Sequence, residues 1–279
     1  MRFGICCGLG SFVAQIKDQP LSSLPKLMDT LKTAGADYVE FGVATVAPDG
    51  PEADFEKLRR AMAPCPLRAE AFNSFIPGKH RITGPEVNLK AVLAYCRAAL
   101  RRCKALGGEV VVLGSSGARK VPEGFDAAKA ESQFIEFCRE LAPLADEIGI
   151  DIAIEPLNRK EDNLILSVAQ GMRLVDAIGK ARIRLLADLY HMSEEKEPRE
   201  ILAQAGARLC HTHLADLGRV APGFAARGEE DFIGFFRNLR RAGYDRRTSF
   251  EGKADDLEKQ SKPLLDLLKK RWAEAAQGF

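Results

Sequence analysis

The sequence predicts a single (β/α)8 barrel that spans residues 1–279. Short runs rich in β-forming residues alternate about eight times with longer helical patterns. No linker rich in proline, glycine or serine divides the chain, and no segment has low complexity. Eight β-then-α units favour a closed parallel barrel over an open doubly wound sheet, which usually has fewer strands.

The predicted strands are short runs in which branched and aromatic residues are frequent. In chain order they are RFGICC at the N-terminus, YVEFGV from Tyr38, LRAEAFNSF from Leu67, VVVLGSS from Val110, DIAIEPL from Asp151, IRLLADLY from Ile183, LCHTHLA from Leu209 and TSFEGK from Thr248.

The predicted helices are amphipathic stretches between these runs, and several end on a glycine, such as Gly149 and Gly179, where a left-handed cap residue is favoured. They include LPKLMDTLKTAG, VNLKAVLAYCRAALRRCKALGG, SQFIEFCRELAPLADEIG, VAQGMRLVDAIG, REILAQAG, FIGFFRNLRRAG and PLLDLLKKRWAEAAQ. The last stretch has an apolar stripe that either closes the barrel or meets a partner subunit. The sequence therefore allows a homo-oligomer and does not decide the oligomeric state.

The composition is typical of a soluble globular protein, with 46% hydrophobic and 29% charged residues. A net charge of +2 from 41 basic and 39 acidic residues gives no general reason to expect nucleic acid or a membrane as partner. The N-terminal MRFGICCGLGSF is a poor signal peptide and too short to span a bilayer. Seven cysteines without a CxxC pair indicate reduced thiols, and hence the cytoplasm.

Four candidate metal ligands lie at the ends of successive strands in the C-terminal half of the chain. They are Glu155, Asp188, His213 and Glu251. The carboxyl ends of barrel strands converge on one face, which is where such barrels collect their catalytic residues. The sequence therefore predicts a metal site at that face.

Strand parity supports this convergence, because side chains on a strand alternate between its two faces. In DIAIE the branched Ile152 and Ile154 face outward, which leaves Glu155 inward. In LCHTHLA the two histidines face the barrel interior, with Cys210, Thr212 and Leu214 opposite. In TSFE the inward residues are Ser249 and Glu251. We interpret His211 as a hydrogen-bonded interior histidine and not as a ligand.

The chemistry of the four side chains indicates the kind of metal. Three carboxylates and one imidazole suit one divalent ion, Mn²⁺ with Co²⁺ or Mg²⁺ as alternatives, better than a thiolate zinc site. Burying several unpaired carboxylates at a barrel mouth is costly without a compensating cation.

The motifs around these residues resemble those of the xylose-isomerase-like TIM-barrel superfamily of sugar isomerases and epimerases, and within it those of the ketose 3-epimerases of the D-tagatose and D-allulose group. The segments are EPLNRKE (155–161), DLYH (188–191), HTHLADLGRVAPG (211–223), and RGEEDF followed by RRAGYDRRTSFE, which ends at residue 251. The resemblance implies that Glu155, Asp188, His213 and Glu251 bind the metal. It also implies that Glu161, His191 and Arg219 bind the substrate.

The resemblance further implies a reaction on a small sugar or a polyol-derived ketone. One of the two glutamates, Glu155 or Glu251, removes a proton next to a carbonyl group. The other returns it from the opposite side of the resulting enediolate. His191 and Arg219 stabilise the developing oxyanion, and Glu161 orients a hydroxyl group or His191.

The substrate pocket departs from the pattern of the better-known ketose epimerases, which place tryptophan and other aromatic residues around the sugar. Trp272, the only tryptophan, lies in the last helical pattern. Phe12, Phe41, Phe72 and Phe75 fall near strand ends and are candidates to substitute, although core packing is their commoner role.

Several alternatives stay open. On the same scaffold they are isomerisation of an inosose or hydroxypyruvate, elimination from a 3-oxo-glycoside, and a phosphorylated sugar as substrate. An apurinic-site endonuclease fits poorly, because those barrels resemble a histidine-richer three-metal site and this chain has four histidines. A non-catalytic metabolite-binding barrel is disfavoured by retention of both proton-transfer glutamates. Gly8 and Gly10 lack the third glycine of a dinucleotide fingerprint, so no nucleotide cofactor is expected.

Overall fold

The computed structural model describes residues 1–6, 21 and 24–277, and its eight strands form a closed barrel in which each strand runs parallel to the next. β8 pairs with β1 to close the ring. The strands are β1 (Arg2–Cys6), β2 (Tyr38–Gly42), β3 (Ala69–Asn73), β4 (Val110–Leu113), β5 (Asp151–Ile154), β6 (Ile183–Asp188), β7 (Leu209–Leu214) and β8 (Arg247–Phe250). The predicted (β/α)8 barrel is confirmed, and each predicted strand occupies its expected place.

Helices alternate with the strands and surround the barrel. They are α1 (Leu24–Ala34), α2 (Glu52–Met62), α3 (Leu89–Ala105), α4 (Ser116–Arg119), α5 (Ala127–Ile148), α6 (Val168–Ile178), α7 (Leu189–Glu194), α8 (Leu202–Ala205), α9 (Phe232–Arg241) and α10 (Leu257–Glu274), with 3₁₀ turns at Val43–Val46, Arg199–Ile201 and Gly206–Arg208. The stretch REILAQAG, predicted as one helix, is divided between a 3₁₀ turn and the short α8.

Local sequence explains where the long helices begin and end. In five of them, the side chain of the residue just before the helix accepts a hydrogen bond from a backbone N–H of the first turn. These accepting residues are Asn88, Asp126, Ser167, Asp231 and Asp256. The predicted glycine caps are also present, since α5 ends at Gly149 with φ 73° and α6 ends at Gly179 with φ 66°.

The outward faces of the strands pack against the helices in one large apolar core. Ile152, Ile154 and Phe250 belong to it, as parity predicts. Phe41, Phe72 and Phe75 are fully buried in the same core. These three phenylalanines therefore pack the fold and do not replace the missing tryptophan, and Phe12 lies outside the described residues.

A smaller apolar cluster fills the barrel interior. Its members are Tyr38, Ala71, Val110, Val112, Ala153, Leu186 and Cys210. The placement of Cys210 on the outward face of β7 was wrong. The pairing of β6 with β7 shifts between Leu185 and Leu186, so Leu209 pairs with Leu185, His211 pairs with Leu186, and Cys210 is the extra residue.

Polar groups close the amino-terminal end of the barrel. Glu70 on β3 accepts hydrogen bonds from Arg2 at 2.6 Å and from Arg247 at 2.8 Å. Above them the Tyr38 hydroxyl lies 2.8 Å from Ser249 Oγ inside the barrel. Ion pairs thus seal one end, and the other end is left for the candidate ligands.

The expectations for the glycines and cysteine that follow β1 are not tested by the structure. Cys7, Gly8 and Gly10 lie outside the described residues. Within the described ranges, no helix combines the length and the apolar composition needed to cross a membrane.

Gly4 tests the packing of the barrel interior, because a Cβ atom at this position would lie 2.3 Å from the Tyr38 ring. We expect Gly4→Ala to lower the free energy of unfolding by about 1 to 3 kcal/mol, since overpacked interiors force side chains and backbone to shift. Chemical denaturation measures this loss. In a Tyr38→Leu background the same substitution should cost much less, and an equal cost in both backgrounds would contradict the proposed overlap.

Candidate metal centre

The four predicted ligands come together in the structure. They are all buried, and each offers an atom that lies within 4.8 Å of the atoms offered by the others. The members are Glu155, Asp188, His213 and Glu251. Asp188 is the last residue of β6, His213 is the last but one of β7, and the two glutamates directly follow β5 and β8. The carboxyl ends of four adjacent strands therefore build one cluster.

The His213 imidazole lies between the two glutamates. Its Nδ1 atom is 3.1 Å from Glu155 Oε1 and 3.7 Å from Glu251 Oε2. Asp188 Oδ2 is buried without a hydrogen-bond partner among the described residues, and so is His191 Nε2, which lies 3.6 Å away. Buried polar atoms without partners are uncommon and call for an explanation such as an ion or a ligand.

The crowding of carboxylates shifts the pKa values of the cluster. Burial raises the pKa of Glu251, and the charges of Glu155 and Asp188 add to this against the opposing charges of His213 and Arg219. Burial also acts to raise the pKa of Glu155, but the hydrogen bond from His213 brings it below its ordinary value.

His213 responds to the same crowding with the opposite sign of charge. Burial acts to lower its pKa, but the carboxylates of Glu40, Glu251 and Glu155 raise it well above the ordinary value. The protein atoms alone therefore leave an excess of negative charge that draws in a proton. A divalent cation at this point would supply the missing positive charge.

The donor set and the space around it fit a divalent ion of the hard or borderline type. Glu155, Asp188 and Glu251 provide carboxylate oxygens, and His213 provides the single nitrogen. Gly114, just after β4, makes room for the Glu155 carboxylate, because a Cβ atom there would lie 2.2 Å from Glu155 Oε2.

Arg219 and Glu161, which are predicted to bind the substrate, border the cluster. The Arg219 guanidinium donates to Glu251 Oε2 at 2.7 Å and to Glu161 Oε1 at 3.2 Å, and it lies 4.6 Å from the centre of the Tyr190 ring. A tight turn after β7 sets its position: Asp216 and Val220 form a backbone bridge, and Arg219 has φ 59°.

His191 also borders the cluster, and Asn158 fixes its protonation pattern. The backbone N–H and the side-chain amide of Asn158 both donate to His191 Nδ1, at 3.2 and 2.8 Å. The orientation of the amide follows from its oxygen, which accepts the Lys160 N–H at 3.0 Å. Since Nδ1 accepts, Nε2 carries the proton of the neutral ring, and this N–H is left without a hydrogen-bond partner among the described residues.

Two buried supports of the site were missed by sequence reasoning. Asn73 at the end of β3 donates to Glu251 Oε1 at 2.8 Å. The fully buried Arg119 donates to the backbone carbonyl of Glu155 at 2.8 Å and pairs with Asp162 at 2.7 Å. Neither belongs to a chemical motif, and a lone arginine in the segment SSGARK, which contains the short helix α4, gives no signal of burial.

Glu40 is a third residue that was missed. Its two carboxylate oxygens lie 2.8 Å from His211 Nε2 and 2.9 Å from His213 Nε2, and all three side chains are fully buried. His211 is thus a hydrogen-bonded interior histidine, as predicted. A signal was present in YVEFG, where strand parity places the acidic residue on the same face as Tyr38.

A parallel eight-stranded barrel with a buried group of carboxylates and an imidazole at its carboxyl face defines a class of candidate metal-binding barrels. The family comparison is more specific. The chain belongs to the xylose isomerase-like TIM barrel family, whose model matches residues 28–271.

Similar proteins within this family are sugar epimerases, which supports an isomerase. An L-ribulose 3-epimerase from Mesorhizobium japonicum is 27% identical over 261 residues, which cover 90% of this chain and 82% of that protein. A 3-dehydro-D-guloside 4-epimerase from Escherichia coli K12 is 32% identical over 116 residues, or 41% of this chain and 43% of that protein. The crystal structure of a D-psicose 3-epimerase in the presence of D-fructose superposes with a TM-score of 0.81 at 16% identity, covering 98% of this chain and 99% of that one, and shows the shared fold.

The buried Arg119–Asp162 ion pair is predicted to stabilise the segment that carries Glu155, and substitution of Arg119 tests this. Both side chains are fully buried, so Arg119→Met leaves the Asp162 carboxylate without a compensating charge. We expect the free energy of unfolding to fall by about 3 to 5 kcal/mol, measured by chemical denaturation. The control is Arg159→Met, which removes an ion pair from an arginine whose side chain is 75% exposed and should cost far less, because solvent screens exposed ion pairs. Equal losses in the two variants would contradict the account.

Proposed function

We propose that this protein is a divalent-metal-dependent ketose 3-epimerase. The observation that supports the proposal is the buried cluster in which Glu155 and Glu251 approach the same nitrogen of His213. The two glutamates reach the cluster from β5 and β8, and therefore from different sides of the barrel mouth. A pair of bases placed in this way suits removal of a proton on one side of a carbon and its return on the other.

Glu155, Asp188, His213 and Glu251 would hold the ion, and Mn²⁺ is the metal we propose, with Co²⁺ or Mg²⁺ as alternatives. When bound, such an ion supplies Lewis acidity that acidifies a C–H next to a carbonyl group and stabilises the negative charge left behind.

The remaining side chains act on the substrate. Glu155 or Glu251 takes the proton from the carbon next to the carbonyl group, and the other glutamate delivers a proton to the opposite face, which inverts the configuration. His191 donates its Nε2–H to a substrate oxygen, because Asn158 occupies its other nitrogen. The Arg219 guanidinium balances negative charge beside Glu251, and Glu161, which Arg219 contacts, orients a substrate hydroxyl group.

A small ketose is the substrate class we propose, in line with the L-ribulose 3-epimerase relative. The only tryptophan of the chain does not border the cluster. Trp272 lies on α10, with its ring 5.6 Å from Phe236 and next to Arg240, away from the cluster. Tyr190, stacked on Arg219, is the aromatic side chain that the described residues place at the site.

A second candidate is epimerisation of an oxo-glycoside, which the 3-dehydro-D-guloside 4-epimerase relative favours. Both reactions need an acidic C–H beside a carbonyl group, so the same glutamates would serve either one. A panel of free ketoses, inososes and oxo-glycosides, followed by NMR for proton exchange and product, separates the two.

Metal binding is tested by titrating Mn²⁺ into chelator-treated protein. We expect one ion per chain, and activity that is lost with the metal and restored by Mn²⁺. Asp188→Asn should weaken binding by more than about 100-fold, since it removes a ligand, and ligand-supporting residues alone change affinity by about 10- to 100-fold. The control is Asp151→Asn at the opposite end of the barrel, where Asp151 pairs with Arg182. Tight stoichiometric binding by Asp188→Asn would refute the ligand assignment.

Proton transfer is tested with Glu251→Gln. We expect exchange of the substrate C–H with deuterium to fall by at least about 100-fold, because the amide cannot accept the proton. NMR in D₂O with the ketose that the wild type epimerises measures the exchange. Glu258→Gln, an exposed substitution at the start of α10, should exchange normally. Full exchange in Glu251→Gln would exclude this glutamate as an acid–base group.

A further inference from the structure

We propose that Glu40 is a positioning residue that holds His213 with Nδ1 toward the metal centre. The inference rests on the proposed function, because it concerns how a metal ligand is oriented. Glu40 lies in the middle of β2, paired in register with Cys6 on β1 and Ala71 on β3. Its side chain enters the barrel interior directly beneath the cluster.

Among the described residues, the side-chain hydrogen bonds of Glu40 go to two imidazoles. One carboxylate oxygen lies 2.9 Å from His213 Nε2, and the other lies 2.8 Å from His211 Nε2. Across the described part of the chain, no other hydrogen bond to these oxygens is found. Glu40 is therefore fully buried and hydrogen-bonded to the two histidines of the HTH segment on β7, across the barrel interior.

The direction of these hydrogen bonds determines which nitrogen of His213 is left for a ligand. A carboxylate oxygen accepts, so Nε2 of each ring donates its proton to Glu40. For His213, Nδ1 is then the nitrogen that binds a cation, and this atom is the one that faces Glu155 and Glu251. Carboxylates that accept the second N–H of a metal-binding histidine fix the ring orientation and raise its basicity.

His211 serves as the second anchor of Glu40. Its Nε2 atom also lies 3.4 Å from Ser249 Oγ, which contacts the Tyr38 hydroxyl. Its Nδ1 atom is buried without a partner in the described structure. His211 therefore pairs with Glu40 and packs edge-to-face on the His213 ring, with 4.9 Å between the ring centres, but it is not one of the four candidate ligands.

Glu40, His211 and His213 could also be considered as a second metal site, since their ligand atoms lie close together. The distances favour hydrogen bonds instead. Separations of 2.8 and 2.9 Å are ordinary hydrogen-bond lengths. Ligands about 2.1 Å from a shared ion would stand roughly 3 Å or more apart. We therefore assign the proton, not a cation, to the space between Glu40 and each ring.

The first test is the affinity for Mn²⁺, measured by calorimetric titration. Glu40→Gln keeps one acceptor oxygen, and we expect it to weaken binding by about 10-fold. Glu40→Leu removes both acceptors and should weaken binding by up to about 100-fold. The matched control is Glu70→Gln, another buried glutamate on the adjacent strand β3, whose partners are Arg2 and Arg247 at the opposite end of the barrel. It should bind Mn²⁺ as tightly as the wild type.

The second test reads the protons of the histidines directly, so it does not depend on a variant that folds poorly. The chain has four histidines, and ¹⁵N-histidine NMR of the Zn²⁺-loaded wild type resolves which nitrogen of each ring is protonated. We expect His213 to be metal-bound at Nδ1 and protonated at Nε2, and His211 to be protonated at Nε2. In Glu40→Gln at least one of these two Nε2–H signals should shift or broaden through exchange.

The outcomes separate this inference from the proposed function. A wild type that binds no ion would overturn both. One ion per chain with equal affinity in wild type and Glu40→Leu, or His213 bound through Nε2, would overturn the role of Glu40 alone. Two ions per chain, one of which is lost in Glu40→Gln, would replace the hydrogen-bonded arrangement with a second metal site.

Discussion

Negative charge buried at one end of a barrel is the constraint on which the rest of this structure depends. Glu40, Glu155, Asp188 and Glu251 are all buried within the interior or at its carboxyl face. Removing each such charge from water costs several kcal/mol unless it is paired. Among the residues described, Arg219 forms an ion pair with Glu251, and the carboxylates raise the pKa of His213 so that it favours the positively charged form. A divalent cation would resolve the imbalance, and the same charge concentration suits proton transfer.

The surrounding structure keeps these carboxylates apart and oriented. Asn73 and Arg219 hold the two oxygens of Glu251, while Arg119 holds the backbone that carries Glu155. Glu40 acts one layer below, through His213. At the opposite end of the barrel, the negative charge of Glu70 is neutralised by direct ion pairs with Arg2 and Arg247. Charge at that end is neutralised by the protein itself, and charge at the carboxyl end is left for a ligand.

The periodicity of the sequence was sufficient to predict the eight strands, the closed barrel and the convergence of the four strand-end ligands. It was insufficient wherever the pairing of neighbouring strands or the burial of a loop decides the outcome. Cys210 faces inward because β6 and β7 shift register, and a shift of that kind depends on two strands at once. Arg119, at the end of α4, and Asn158, in the segment after β5, act through contacts with backbone atoms that arise only on folding. Glu40 was accessible to the parity argument, but a single acid in an apolar strand has no pattern to mark it.

The central claim is that one divalent ion binds between Glu155, Asp188, His213 and Glu251. A crystal soaked in Mn²⁺ and measured at the manganese absorption edge tests it most directly. The account predicts one strong anomalous peak per chain, about 2.1 Å from an oxygen of each carboxylate and from His213 Nδ1. A crystal without a peak at this position, or with its peak between Glu40 and His211, would contradict it.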